Sequence, residues 1–185
     1  MSEAKQRILE TAGKLFAGRG YELVGINEII EKSGVAKATF YQHFRSKEAL
    51  CLEWLKGVAE WSEKESLALL DQELDPREKI AAKFDKLHVF LKSSDYRGCP
   101  FSNTAVVMLD DNSVRALVDQ YKASCRLFWH SLALQVRREP AGARALGDAL
   151  FLLFSGAVTE SQNSRAGWPV ESAKAAALTL CGKTT

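Results

Sequence analysis

The stretch GYELVGINEIIEKSGVAKATFYQHFRSKEAL, residues 20–50, decides the fold. Ile26, Ile29 and Ile30 fall at i, i+3 and i+4, so they share one face of a short helix, while Glu28, Glu31 and Lys32 face water. Ser33-Gly34-Val35 supplies the turn after it, because a glycine just past a helix end takes the left-handed conformation that strains any residue with a Cβ. A second short helix follows. In it Ala36 and Phe40, four apart, are expected to pack inward, and Lys37, Ala38, Thr39, Tyr41, Gln42 and His43 spread over the other faces. A helix with that outer surface can enter the major groove, where hydroxyl, amide, imidazole and ammonium groups meet base edges and phosphates.

Charge supports this through its distribution, since the whole chain is only +2. Residues 1–47 carry eight Lys and Arg against five Glu, and residues 48–185 carry 17 basic against 18 acidic residues. Between Lys32 and Lys47 there are four basic residues and no acidic one. Such a run alone is an ordinary solvated face. Joined to the turn glycine and two helical periods, it is the positive stripe that phosphate neutralisation requires.

Residues 6–52 resemble the TetR/AcrR transcriptional regulators, through QRILETAGKLFAGRGY (6–21) and INEIIEKSGVAKATFYQHFRSKEAL (26–50). The resemblance implies a recognition helix carrying Lys37, Ala38, Thr39, Tyr41, Gln42 and His43. It also implies a phosphate-contacting Lys47 and a DNA-touching Asn27 near the start of the preceding helix. Gly25 and Ala36 depart from the pattern, which has Thr or Ser and then Ser; each change removes a hydroxyl that could cap a helix or bind phosphate. Affinity is then expected to rest more on Lys37, Tyr41 and Lys47.

The expected fold class is all-α: an N-terminal three-helix helix-turn-helix DNA-binding domain (1–47) and a larger helical effector-binding and dimerisation domain (48–185). A chain of 185 residues with 46% apolar content can bury both cores. The first helix is expected from Ser2, burying Ile8, Ala12, Leu15 and Phe16, and ending at Gly18-Arg19-Gly20. A long helix capped by Ser46 runs to about Leu70 with Leu50, Trp54, Val58 and Trp61 on one stripe. Pro76, Pro100, Pro140 and Pro169 mark later helix starts, and Asp75-Pro76-Arg77-Glu78 reads as a capping box. The N-terminus lacks an apolar signal core and the apolar run 149–158 is too short for a bilayer, so a cytoplasmic protein with no membrane partner is expected. Cysteines 51, 99, 125 and 181 and histidines 43, 88 and 130 show no metal spacing, and neither metal nor cofactor is expected.

Residues 145–158 are apolar nearly all round, and the last helix is rich in alanine. The family's two-fold dimer uses its last two long helices, and by that resemblance Leu146, Leu150, Leu153, Phe154, Ala157, Ala173 and Ala177 would form a homodimer interface. The alternative is the centre of a monomer core. Trp54, Trp61, Phe84, His88, Cys99, Asn103, Tyr121 and Phe128 are candidates for an effector pocket or sensor. His88, on an apolar stripe, reads equally as a satisfied core histidine. Cys99, just before Pro100 and beside Arg97, is placed to hold a thiolate at a helix N-terminus, or else is a small packing residue with Gly98.

Two function classes follow. The first is a dimeric regulator, a repressor released from a palindromic double-stranded DNA operator by an unknown small-molecule effector or by thiol modification at Cys99. The second is a cysteine-dependent enzyme using Cys99, for which neither His88 nor His130 has a motif-level link as base. That gap argues against an enzyme.

Overall fold

The computed structural model describes residues 2–108 and 110–182, and among them every regular element is a helix. These are α1 (Glu3–Arg19), α2 (Ile26–Ser33), α3 (Lys37–His43), α4 (Lys47–Leu70) and α5 (Pro76–Ser93). There follow α6 (Pro100–Val107), α7 (Asn112–Val136), α8 (Pro140–Ser164) and α9 (Trp168–Leu180). Each proline lies in the first turn of its helix, where its missing N–H costs nothing. At α5 the capping box is complete: Asp75 accepts from the first-turn backbone and Glu78 accepts from the Asp75 N–H. Ser46 caps α4, its Oγ taking the Ala49 N–H at 3.2 Å.

The chain forms two compact units, Met1–Trp61 with Pro100–Asp119, and Ser62–Cys99 with Gln120–Thr185. Residues 48–61 and 100–119, on the far side of a division at residue 47, therefore group with the first unit. Apolar burial is the reason: Leu50, Cys51 and Leu55 of α4 are fully buried, and Cys51 shares a hydrogen bond with Thr104 of α6.

In the first unit α1 buries Ile8, Ala12, Leu15 and Phe16, as its period predicts. Gly34 closes α2 in the left-handed region (φ 64°), and Arg7 donates to its carbonyl at 2.8 Å, tying α1 to the turn. Phe40 is fully buried, but Ala36 is exposed, against the expectation that both pack inward. The reason is that α3 begins at Lys37, so Ala36 is the extended N-cap residue (φ −68°, ψ 147°) with no side chain to cap the helix. Ala36→Ser should then stabilise this unit by about 1 kcal/mol in urea unfolding. An unchanged midpoint would mean that solvent already serves the free N–H groups.

The α4 stripe also differs from its expected course. Trp61 is 62% exposed, and the buried line runs through Leu50, Cys51 and Leu55 with Trp54 half-buried. Trp54 lies against Gly13 and Phe16 of α1, its ring centroid 5.5 Å from that of Phe16, which pins the inward face to residues 50–55.

The second unit packs Leu69, Ile80, Phe84, Leu91, Trp129 and Leu150 at its centre. Lys79 is buried and two of its three donors are used: its Nζ donates to the Leu70 carbonyl at the end of α4 (2.6 Å) and to Gln135 Oε1 (3.1 Å). Such a cation at a helix C-terminus answers both orphan carbonyls and the macrodipole. Within α8 an 18-residue window is apolar enough, by length and composition alone, to cross a membrane, a test that core helices also pass. Here its inner face, Leu146, Leu150 and Ala157, belongs to the core of this unit.

Asp148 of α8 holds α7 through Arg126 (2.6 and 3.0 Å) and His130 Nε2 (2.7 Å). These partners, Arg126 first, hold its carboxyl well below the usual carboxylate range. A carboxyl depressed in the folded state contributes stability above its unfolded value, near about 3.9, and loses it as pH falls further. The stability difference between the native chain and Asp148→Asn should therefore be full above about pH 5 and shrink below about pH 4. Urea unfolding from pH 3 to 6 checks this; a difference that grew on acidification would refute it.

Candidate nucleic-acid interface and sensor cluster

On α3 the buried Phe40 anchors a helix whose other faces stay open. Lys37, Ala38 and Gln42 are exposed, Tyr41 is 45% exposed, and Thr39 and His43 are half-buried. Tyr41 stands edge-on to Phe40 at 5.3 Å, which fixes the phenol's base without covering its hydroxyl. His43 meets Ser2 Oγ at 3.2 Å, and Asn27 is exposed on the first turn of α2.

The four cations of the stripe are not equivalent. Lys32 pairs with Glu28 at 2.9 Å, and Glu28 also takes Arg19. Lys47 donates to the Tyr21 carbonyl at 3.2 Å and sits 4.1 Å from the centre of the Tyr21 ring, so one of its three donors is used and its position is held. Tyr21 in turn donates to Glu48 at 2.8 Å. Burial raises the Tyr21 phenol above its ordinary range, and the backbone and Ser46 hydrogen bonds lower the Glu48 carboxyl. Lys37 and Arg45 are exposed with no ion-pair partner among the described residues. Arg45 was counted in the charge run but not singled out; its exposure beside α3 is the signal that tertiary structure adds.

The predicted sensor residues separate. Trp54, Trp61 and Asn103 belong to the first unit, and Phe84, His88, Cys99, Tyr121 and Phe128 to the second. Phe84 and Phe128 are core, joined through Trp129 at 5.7 and 5.2 Å. His88 is half-buried with its ring against Gly167, where a Cβ would lie 2.6 Å from the imidazole. His130 Nε2 meets Asp148 Oδ1 at 2.7 Å.

Cys99 is half-buried, and the cation at its sulfur is Lys122, with Nζ 3.9 Å away. The chain before it turns sharply. Asp95, Tyr96 and Gly98 have φ of 52°, 55° and 74°, and a Cβ on Gly98 would lie 2.0 Å from Gln162 Oε1. Gly98 is thus a close-approach residue, and Cys99 is oriented by that approach. Tyr121 donates to Cys125 and accepts from Ser62. Burial pushes both the Tyr121 phenol and the Cys125 thiol above their ordinary values. No group of three or more His, Cys, Asp or Glu side chains suited to a metal occurs among the described residues.

Of the predicted dimer residues, Leu146, Leu150, Ala157, Ala173 and Ala177 are buried within their own unit, and Leu153 and Phe154 are half-buried. These five lie where α8 packs on α9, whose alanines permit the close approach. The apolar residue α8 turns outward is Leu152, 66% exposed, with Gly156 one turn on.

The family model described as bacterial regulatory proteins, tetR family, matches residues 8–53. The HTH-type transcriptional regulator LmrA of Bacillus subtilis is 32% identical over 53% of this chain and 53% of its own. The HTH-type transcriptional repressor NemR of Escherichia coli is 26% identical over 94% of this chain and 91% of its own. A TetR-family transcriptional regulator from Streptomyces coelicolor, solved as a crystal structure, superposes with TM-score 0.87 at 25% identity, covering 98% of this chain and 95% of that one. The chain spans about half the length, or less, of the curated relatives it matches chiefly over the head. With the helical order, the left-handed turn at Gly34 and the open face of α3, these likenesses make residues 8–53 of this chain similar to the tetR family of bacterial regulatory proteins.

Proposed function

We propose that this chain is a dimeric transcriptional regulator, a repressor, which binds a palindromic DNA operator in the cytoplasm and is released by a small-molecule effector or by modification of Cys99. The observation that carries it is the open outer face of α3, with Lys37, Ala38, Tyr41 and Gln42 exposed over the buried Phe40. Thr39 and His43 flank this face, Asn27 adds a donor from α2, and Lys47 is held at the start of α4. The repressor name of NemR, similar over most of the chain, supports the sign of regulation. Two heads spaced by one helical repeat of about 34 Å, or a multiple, address a palindrome, and this is why a dimer fits. Leu152 and Gly156 on the outer face of α8 are the surface we assign to the second copy.

The effector acts by preferring the conformation that does not fit the operator, and a preference of a few kcal/mol empties most sites. For the thiol route, Cys99 is half-buried with Lys122 Nζ 3.9 Å from its sulfur. The test is fluorescence anisotropy of the purified protein on DNA from upstream of its own coding region, across a salt series with competitor DNA. Salt-sensitive binding that survives competitor is expected. If a random-sequence selection also yields no preferred site, the regulator reading fails.

A further inference from the structure

Two half-buried lysines of the second unit, Lys83 and Lys122, have no carboxylate partner among the described residues. Lys5 is answered by Glu53, Lys174 by Asp85, and the buried Lys79 by the Leu70 carbonyl and Gln135. Lys83 of α5 instead donates to Ser66 Oγ at 2.9 Å and lies 4.7 Å from the centre of the Phe128 ring. Lys122 of α7 meets Cys99 Sγ at 3.9 Å. Among the described residues no carboxylate is within ion-pair distance of either, and Glu65, whose field reaches Lys83, is bonded to Lys86 at 2.9 Å. Lys122, Cys125 and Phe128 stand three residues apart along α7 and so lie along one side of it, and Lys83 sits over the Phe128 ring, which brings both ammoniums to one region.

A lysine carries three donors, and Ser66 uses one of those on Lys83. Its burial pulls the ammonium below its ordinary value, the expected sign for a cation removed from water without a counter-charge. Cys125 and Tyr121 are pushed the other way by burial and stay neutral, so they supply no anion. Two cations, the Cys99 thiol and the face of Phe128 form a site for a negative head on an apolar body.

We infer that this cluster binds the charged end of the effector, and that the effector is an organic monoanion: a carboxylate joined to an aliphatic or aromatic body. This deepens the regulator reading and rests on it for the word effector. A neutral ligand would leave both ammoniums without a counter-charge, and a carboxylate has two oxygens, one for each.

Calorimetry with decanoate and 4-phenylbutyrate, each against its alcohol, decanol and 4-phenylbutanol, tests the site, with decyl phosphate as the dianion. The acids are expected to bind at least about tenfold tighter than the alcohols, a difference of about 1.4 kcal/mol. Lys83→Met and Lys122→Met should each remove that preference and leave the alcohols unchanged. Should a variant fail to fold, the acid and alcohol pairs on the native chain decide alone. Equal binding of acid and alcohol, no binding by either acid, or variants without effect would overturn the assignment, and tighter binding of decyl phosphate would overturn the carboxylate. Operator binding measured on the same samples separates the two readings. Intact DNA binding without acid selectivity sinks the anion site alone; acid selectivity lost in Lys83→Met, without any DNA binding, keeps the site and sinks the regulator.

Discussion

Replacing Lys37 and Tyr41 together by alanine should lower operator affinity about 100-fold, or about 2.7 kcal/mol, at moderate salt. Lys37 is exposed on the first turn of α3 with no ion pair to give up, so its charge is available to a phosphate. Losing one phosphate contact lowers the slope of log affinity against log salt by about 0.9. Tyr41 contributes differently. Its hydroxyl and ring reach outward from a base fixed on Phe40, and its loss should reduce discrimination between operator and competitor more than the salt slope. Stability should fall by no more than about 1 kcal/mol, the worth of one edge-on aromatic pair. Anisotropy titrations with urea unfolding on the same samples check both halves; affinity within threefold of the native chain would remove α3 as the reading element. Lys47→Ala is a poorer probe, because Lys47 also secures the Tyr21 carbonyl and ring, so it mixes folding with binding.

Gly147→Val should cost the second unit about 3 kcal/mol, the upper end of overpacking. A Cβ at this position would lie 2.4 Å from His130 Cδ2, 2.9 Å from His130 Cα and 3.1 Å from its backbone nitrogen. The side chain could rotate away; the backbone of α7 cannot. Relief would need α7 and α8 to part, and Asp148, the next residue, holds α7 through Arg126 and His130. His130→Ala introduced with Gly147→Val should therefore restore little. Urea unfolding of both variants is the measurement, and full rescue by His130→Ala would show that the imidazole alone sets the limit.

The head was legible because its determinants are local. Gly34 had to be left-handed, Phe40 and the α1 residues had to face inward by period, and Ser46 and Asp75 carry capping chemistry in their own side chains. Ala36 misled because a four-residue spacing from Phe40 mimics a shared face; the helix begins one residue later, and a cap position turns outward. Trp61 misled in a similar way. Its spacing continues the α4 stripe, yet the partner surface from α1 meets residues 50–55, and a hydrophobic period does not say how far its neighbour extends.

Spacing along a helix determined, from the sequence by itself, the all-α class, the order of helices, the proline starts and the face of α3 that stays open. Only tertiary structure decided the uses of equivalent-looking residues: that Leu146, Leu150 and Ala177 close a core while Leu152 faces out, and that Lys79 takes the end of α4 and Gln135, Lys83 takes Ser66 and Lys122 takes Cys99. Period and capping are properties of neighbours in the chain. Partnership across helices depends on residues 23 to 56 positions apart, as Lys122 with Cys99 and Lys79 with Gln135, and no local pattern encodes it.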